Sequence, residues 1–212
     1  MPAPQSFNTN SPSSEPALGH VNLMVDTFIA NASPDDLRAL VRGLLASGTP
    51  GLAANFTAAA RRRFHSTATA KPCSIQTPFF TMSSDDPDAT PSAESTEHLE
   101  HILNRARSYY GVGLGFASLT MLTDVVRSTK GLEWEDVSQM TSALSVVDSD
   151  ITQAIQSSKE ELDAGRVEDL SVAHQAVDEL RRAILESHRE VKAWGGEPPF
   201  ERSLASVLHW KL

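Results

Sequence analysis

Residues 131–165, GLEWEDVSQMTSALSVVDSDITQAIQSSKEELDAG, and the adjoining residues 166–196, RVEDLSVAHQAVDELRRAILESHREVKAWGG, decide the fold class. In the first segment Val137, Met140, Leu144, Val147, Ile151 and Ala154 follow one another at three- and four-residue steps. That spacing brings them to one face of an α-helix, whereas a half-buried strand needs alternation. Leu170, Ala173, Val177, Leu180, Ile184 and Val191 repeat the pattern in the second segment. The short junction at Ala164-Gly165 predicts a turn, and hence a long antiparallel helical hairpin over residues 132–194. Such a hairpin cannot hide both stripes by itself. Ala154, Ser158, Ala173 and Ser187 interrupt the leucine and isoleucine of the stripes, unlike the seam of a strong coiled coil. The hairpin is therefore expected to be the scaffold of an intramolecular, all-α helical bundle over residues 94–212.

The flanking segments supply the cover. Upstream, Leu99, Ile102, Leu103, Ala106 and Tyr110 share a helical face, and Phe116, Leu119, Leu122, Val125 and Val126 continue the period. Gly111, Gly113 and Gly115 between them predict a bent helix at the bundle centre, with glycine allowing close helix approach. A phosphate-cradling glycine loop would need a preceding strand, and here a helix precedes it. The uncharged run between Arg107 and Asp124 falls short of the roughly 20 residues that cross a bilayer. Downstream, Pro198-Pro199 breaks the chain. Phe200, Leu204, Val207 and Leu208, followed by Trp210 and Leu212, then mark a short helix that caps the bundle.

The first third of the chain reads differently. Residues 1–19, rich in Pro, Ser and Asn, are expected to be a disordered tail. Residues 20–64 read as a small three-helix module. Val21, Met24, Val25, Phe28 and Ile29 form the first stripe, and Leu37, Leu40, Val41, Leu44 and Leu45 the second. Ser33-Pro34-Asp35-Asp36 is a helix start, and Gly48 with Thr49-Pro50-Gly51 a stop. The third helix ends in Arg61-Arg62-Arg63, which suits the negative end of a helix dipole. Residues 65–93, dominated by Ser, Thr, Pro, Ala and Asp, are expected to be a disordered linker whose large apolar groups are Ile75, Phe79 and Phe80. No stretch alternates with period two over a useful length, so no strand is expected.

The chemistry is sparse. The chain has 212 residues, 40 % hydrophobic and 21 % charged, with a formal net charge of −9 and a pI near 5.2. That balance argues against general affinity for nucleic acid or anionic lipid. The single cysteine, Cys73, makes neither an internal disulfide nor a multi-cysteine zinc site. With no signal-peptide pattern, the cytoplasm or nucleus is the expected compartment. Glu97, His98 and His101 lie one turn apart, but no third ligand stands at a matching spacing, so no metal or other cofactor is assigned. No serine-histidine-acid order, phosphate loop or paired-carboxylate pocket can be assembled, so no catalytic residue is assigned and no enzyme activity is expected. Acidic stretches such as Lys159-Glu160-Glu161 read as solvated helix faces.

The expected function is therefore that of a non-catalytic adaptor or regulatory subunit binding other proteins, its own copies included, through helical faces. Its candidate surface is Arg38, Arg42, Phe56, Arg61, Arg62, Arg63 and Phe64. Ser11, Ser33, Thr77 and Thr90 each precede proline and are candidate phosphorylation sites. Two alternatives stand beside it. Residues 34–63 could serve a chromatin- or DNA-associated regulator, although the third helix lacks base-reading side chains near its start. Residues 37–69 hold five arginines and no acid, and Arg62-Arg63-Phe64-His65-Ser66-Thr67 resembles a presequence cleavage site, the pattern of a mitochondrial protein with a removed N-terminal region.

Overall fold

A computed structural model of the chain describes residues 23–70, 78–83, 92–135 and 138–210. They contain eight helices: α1 Leu23–Asn31, α2 Pro34–Ala46, α3 Leu52–Ala70, α4 Glu97–Gly111, α5 Gly115–Arg127, α6 Gln139–Asp163, α7 Leu170–Trp194 and α8 Glu201–Leu208. Two four-residue strands, β1 Phe80–Ser83 and β2 Ser92–Ser95, complete the inventory. The all-α class holds. The chain divides into two compact units, Met1–Ala53 and Ala54–Leu212. The expected tail over 1–19, with Ser11, and Cys73, Ile75, Thr77, Thr90, Val137 and Leu212 lie outside the described residues.

In the larger unit α5 is the centre. It packs against α4, α6 and α7. Gly115, Ser118, Leu119, Leu122, Thr123, Val125 and Val126 are buried around most of its circumference, and a helix apolar on several sides belongs in a core. Its buried hydroxyls are satisfied by their own helix, Ser118 Oγ donating to Gly115 O at 2.6 Å and Thr123 Oγ1 to Leu119 O at 2.8 Å. The stripes of α6 and α7 face this centre, with Met140, Leu144, Val147, Ile151 and Leu180 fully buried.

The expected pairing of the two long helices is revised. α6 and α7 are joined through a short turn but approach each other closely almost nowhere; α5 and α8 each pack against both. The reason lies in α5, whose apolar girth fills the space that a directly packed hairpin would close. Directions follow from paired contacts. Arg107 with Asp150 and Tyr110 with Ser157 set α4 parallel to α6. Arg127 with Glu179 and Gly131 with Glu190 set α5 parallel to α7.

The expected bent helix over residues 98–126 is instead broken in two. Gly113 turns the chain at φ +78°, a left-handed conformation that glycine adopts without strain. Gly115 serves the close approach: a Cβ there would lie 2.3 Å from the backbone nitrogen of Ser158 on α6. Helix ends follow the sequence signals. Ser33 Oγ accepts from Asp36 N at 3.1 Å with Pro34 in the first turn of α2, and Gly195 at φ +89° ends α7.

Three expectations in the first third change. β1 and β2 pair antiparallel, Phe80 opposite Ser95 and Ser83 opposite Ser92, where no strand was expected. Four residues are too few to display alternation, and eight residues separate the two strands in the chain. The expected linker over 65–93 is thus partly structured: α3 runs on to Ala70, and Phe79 and Phe80 are buried in the main core. Thr96 N donates to Phe79 O at 3.0 Å and thereby seats the hairpin at the start of α4. Finally, most of α3 belongs with the larger unit, not with α1 and α2 in a module over 20–64.

Candidate interaction surface

The two short helices of the first unit leave their apolar faces open. Val25, Phe28 and Ile29 on α1, and Leu40 and Leu44 on α2, are between 48 % and 60 % exposed. No residue of α2 is buried. These residues belong to the stripes whose periodicity predicted the helices; on α2, Leu37, Val41 and Leu45 are half-buried while Leu40 and Leu44 stay open. Arg38 and Arg42 are exposed beside them, Arg38 paired with Asp35 at 2.7 Å.

On α3 the candidate residues part company. Phe56, Arg62 and Arg63 face outward. Arg61 turns into the bundle, its side chain 15 % exposed. Its Nη2 lies 3.3 Å from Glu161 Oε1 on α6, itself 8 % exposed. Nη1 donates to the carbonyls of Val112 and Gly113, at the C-terminal end of α4. The other oxygen of Glu161 accepts from Phe116 N in the first turn of α5, at 3.4 Å. One ion pair therefore places positive charge at a helix C-terminus and negative charge at a helix N-terminus, each where the dipole favours it. Phe64 sits edge-on to Tyr109 at 5.1 Å and turns the same way. Arg61 and Phe64 thus leave the candidate surface. Beside Phe64 runs a groove of about 620 Å³, lined by Thr67, His101, Asn104, Arg105, Ser108 and Tyr109.

The remaining buried charges tie helices together. Asp150 on α6 accepts from Arg107 Nε at 3.0 Å, from Arg107 Nη2 at 2.8 Å and from Tyr110 Oη at 3.0 Å. Asp148, two residues earlier and so on another side of α6, accepts from the backbone nitrogen of Ser203 at 2.9 Å and caps α8 from another helix. Asp150 is held by three donor contacts and Asp148 by the amide and hydroxyl of Ser203, which suits structural acceptors.

Burial, followed by the Asp150 carboxylate beside it, pushes the Tyr110 phenol up to about 12. The protonated phenol is favoured in the fold, so its contribution to stability is complete below pH 10 and is lost as pH climbs from about 10 to about 12. In a Tyr109→Phe background the phenolate absorbance is expected to report this late titration. Asp150→Asn should bring it down part of the way towards 10, burial retaining the rest. An unchanged midpoint in Asp150→Asn would mean that the carboxylate does not act on the phenol.

Among the described residues no three His, Cys, Asp or Glu side chains gather as a metal site. His98 stacks on Phe79 with ring centroids 5.0 Å apart. Of the four candidate phosphorylation positions, Ser33 alone lies within the described residues, exposed as the α2 cap. Sequence reasoning missed Glu161, reading it with Lys159 and Glu160 as solvated. The signal was available: the steps of three and four from Ile151 through Ala154 and Ser158 lead to Glu161. A carboxylate on an apolar stripe points to a buried partner. No helix among the described residues is long and apolar enough to cross a membrane. No protein-family model, curated protein or solved structure matches the chain.

Proposed function

We propose that the chain is a non-catalytic adaptor or regulatory subunit of the cytoplasm or nucleus that binds other proteins through helical faces, those of α1 and α2 first. The observation that carries this reading is the open apolar face of α1 and α2 described above. Isolated helices of 9 and 13 residues are marginal in water, so covering them stabilises both helix and complex. The bundle beyond Ala54 buries its own stripes and serves as the scaffold.

The buried Arg61 weighs against the two alternatives. Of the Arg61–Arg63 run only two guanidiniums remain outward for phosphates, and a net charge of −9 opposes a polyanion. Removal of the chain through Arg63 would leave Glu161 buried without its cation, which counts against the processed mitochondrial form.

Affinity capture with the intact chain tests the proposal. A stoichiometric protein partner is expected with the unaltered chain and is expected to be lost in Leu40→Ser/Leu44→Ser, whose circular dichroism should stay close to that of the parent. Equal capture by both chains, or by neither, would overturn it.

A further inference from the structure

We infer that the groove between α3 and α4 takes a short acidic stretch of another protein, laid along α4 in extended form with an apolar side chain against Phe64 and Tyr109. The site lies wholly in the larger unit, and it shares with the proposal above only the premise that the chain binds protein. The groove's volume of about 620 Å³ falls within the roughly 300–1,000 Å³ of ordinary ligand sites. It runs along α4 from His101 to Ser108. At about 1.5 Å per residue that is roughly 10 Å, the span of about three residues of extended chain.

Charge selects the occupant. The chain carries −9 overall, yet residues 37–70 hold five arginines and no acid, and α3 lies within that run. No carboxylate lines the groove. Arg105 lines it from α4, its guanidinium over the Tyr109 ring at 5.8 Å, which sets the charge beside the aromatic floor. Arg63 stands on the rim, exposed and one turn before Thr67 on α3. Among the described residues neither arginine has a carboxylate partner. The acids of α4, Glu97 and Glu100, belong to its first turn, before the groove begins.

The neutral groups point the same way. Thr67 Oγ1 donates to Arg63 O and Ser108 Oγ to Asn104 O, so both hydroxyls are spent on their own helices. Asn104 Oδ1 accepts from Arg107 Nη1 at 3.3 Å, which leaves the Asn104 amide nitrogen as the donor to the groove. Donors from Arg105 and Asn104, with no opposing carboxylate, suit the carboxylates and carbonyls of an extended acidic peptide. A long polyanion is opposed by the net charge of −9, which a peptide with a few carboxylates feels far less.

Fluorescence anisotropy on the full chain, with a fluorescein-labelled Glu-Asp-Leu-Asp-Glu peptide and its Gln-Asn-Leu-Asn-Gln counterpart, tests this. The acidic peptide is expected to bind about tenfold tighter, and the margin should shrink as salt rises. Arg105→Gln should weaken it roughly fivefold, the worth of one partly exposed charge contact. Asn104→Asp, at an exposed position, adds a carboxylate to the wall and should weaken it as well. Leu40→Ser/Leu44→Ser should leave it unchanged, so that loss of the α1–α2 partner and loss of this peptide are separate results. Equal binding of the two peptides, or binding of neither, overturns the inference. So does an acidic peptide indifferent to both Arg105→Gln and Asn104→Asp. A single-stranded oligonucleotide that binds tighter than the peptide and is lost in Arg105→Gln overturns it too, since the groove would then serve a polyanion. If the peptide binds as expected while Leu40→Ser/Leu44→Ser keeps its captured partner, this inference stands and the proposal above falls.

Discussion

Glu161→Ala is expected to destabilise the bundle by about 3–5 kcal/mol, the usual cost of removing one partner from a buried ion pair. Two losses coincide. The Arg61 guanidinium, largely hidden from water, keeps only the carbonyls of Val112 and Gly113, and the first turn of α5 loses the acceptor for Phe116 N. For a domain of this size such a loss lowers the melting temperature by roughly 10 °C or more. It should also free α3, so that trypsin cuts at Arg62 and Arg63 sooner than in the parent. Replacing both charges with methionine should recover much of the stability, because the desolvation penalty goes with them. A melting temperature within about 2 °C of the parent in Glu161→Ala would show that the pair behaves as a surface salt bridge, worth little.

Gly115→Ala is expected to cost about 3 kcal/mol although it adds a single methyl group. The new Cβ would lie 2.3 Å from Ser158 N and 2.5 Å from Ser158 Cα, and those are backbone atoms of a long helix, not the yielding end of a side chain. Either α5 moves away from α6 or the start of α5 unwinds, and both options expose part of the central core. Gly111 offers the control. Nothing lies within 4 Å of a Cβ there, so Gly111→Ala should be close to neutral or slightly stabilising. Thermal denaturation of the two variants side by side separates the explanations. Equal effects would mean that backbone freedom, rather than contact with α6, is what Gly115 provides.

The stripes made the helices legible. Met140, Leu144, Val147 and Ile151 are buried along α6 as their spacing required, and Ser33 with Pro34 opens α2 as the start signal required. The strands were not legible, because β1 and β2 are four residues each and are defined by their pairing with one another rather than by a pattern of their own. Of the candidate surface, Arg38, Arg42, Phe56, Arg62 and Arg63 face outward and Arg61 and Phe64 do not. Three adjacent arginines look alike in one dimension. Which of them meets a buried carboxylate depends on the helical phase of α3 against the broken α4–α5 corner.

By itself the sequence determined that this is an all-α protein, where most helices begin and end, and which residues line each stripe, because period and capping are local properties. Only the tertiary structure decided which stripe is covered by which helix. α6 and α7 follow one another in the chain and were expected to pack together, yet α5, buried around most of its girth, takes the place between them. The same spacing that marks a buried face in α6 marks an open one in α1 and α2. Amphipathicity records that a face needs cover, and the identity of the cover is a property of the assembled chain.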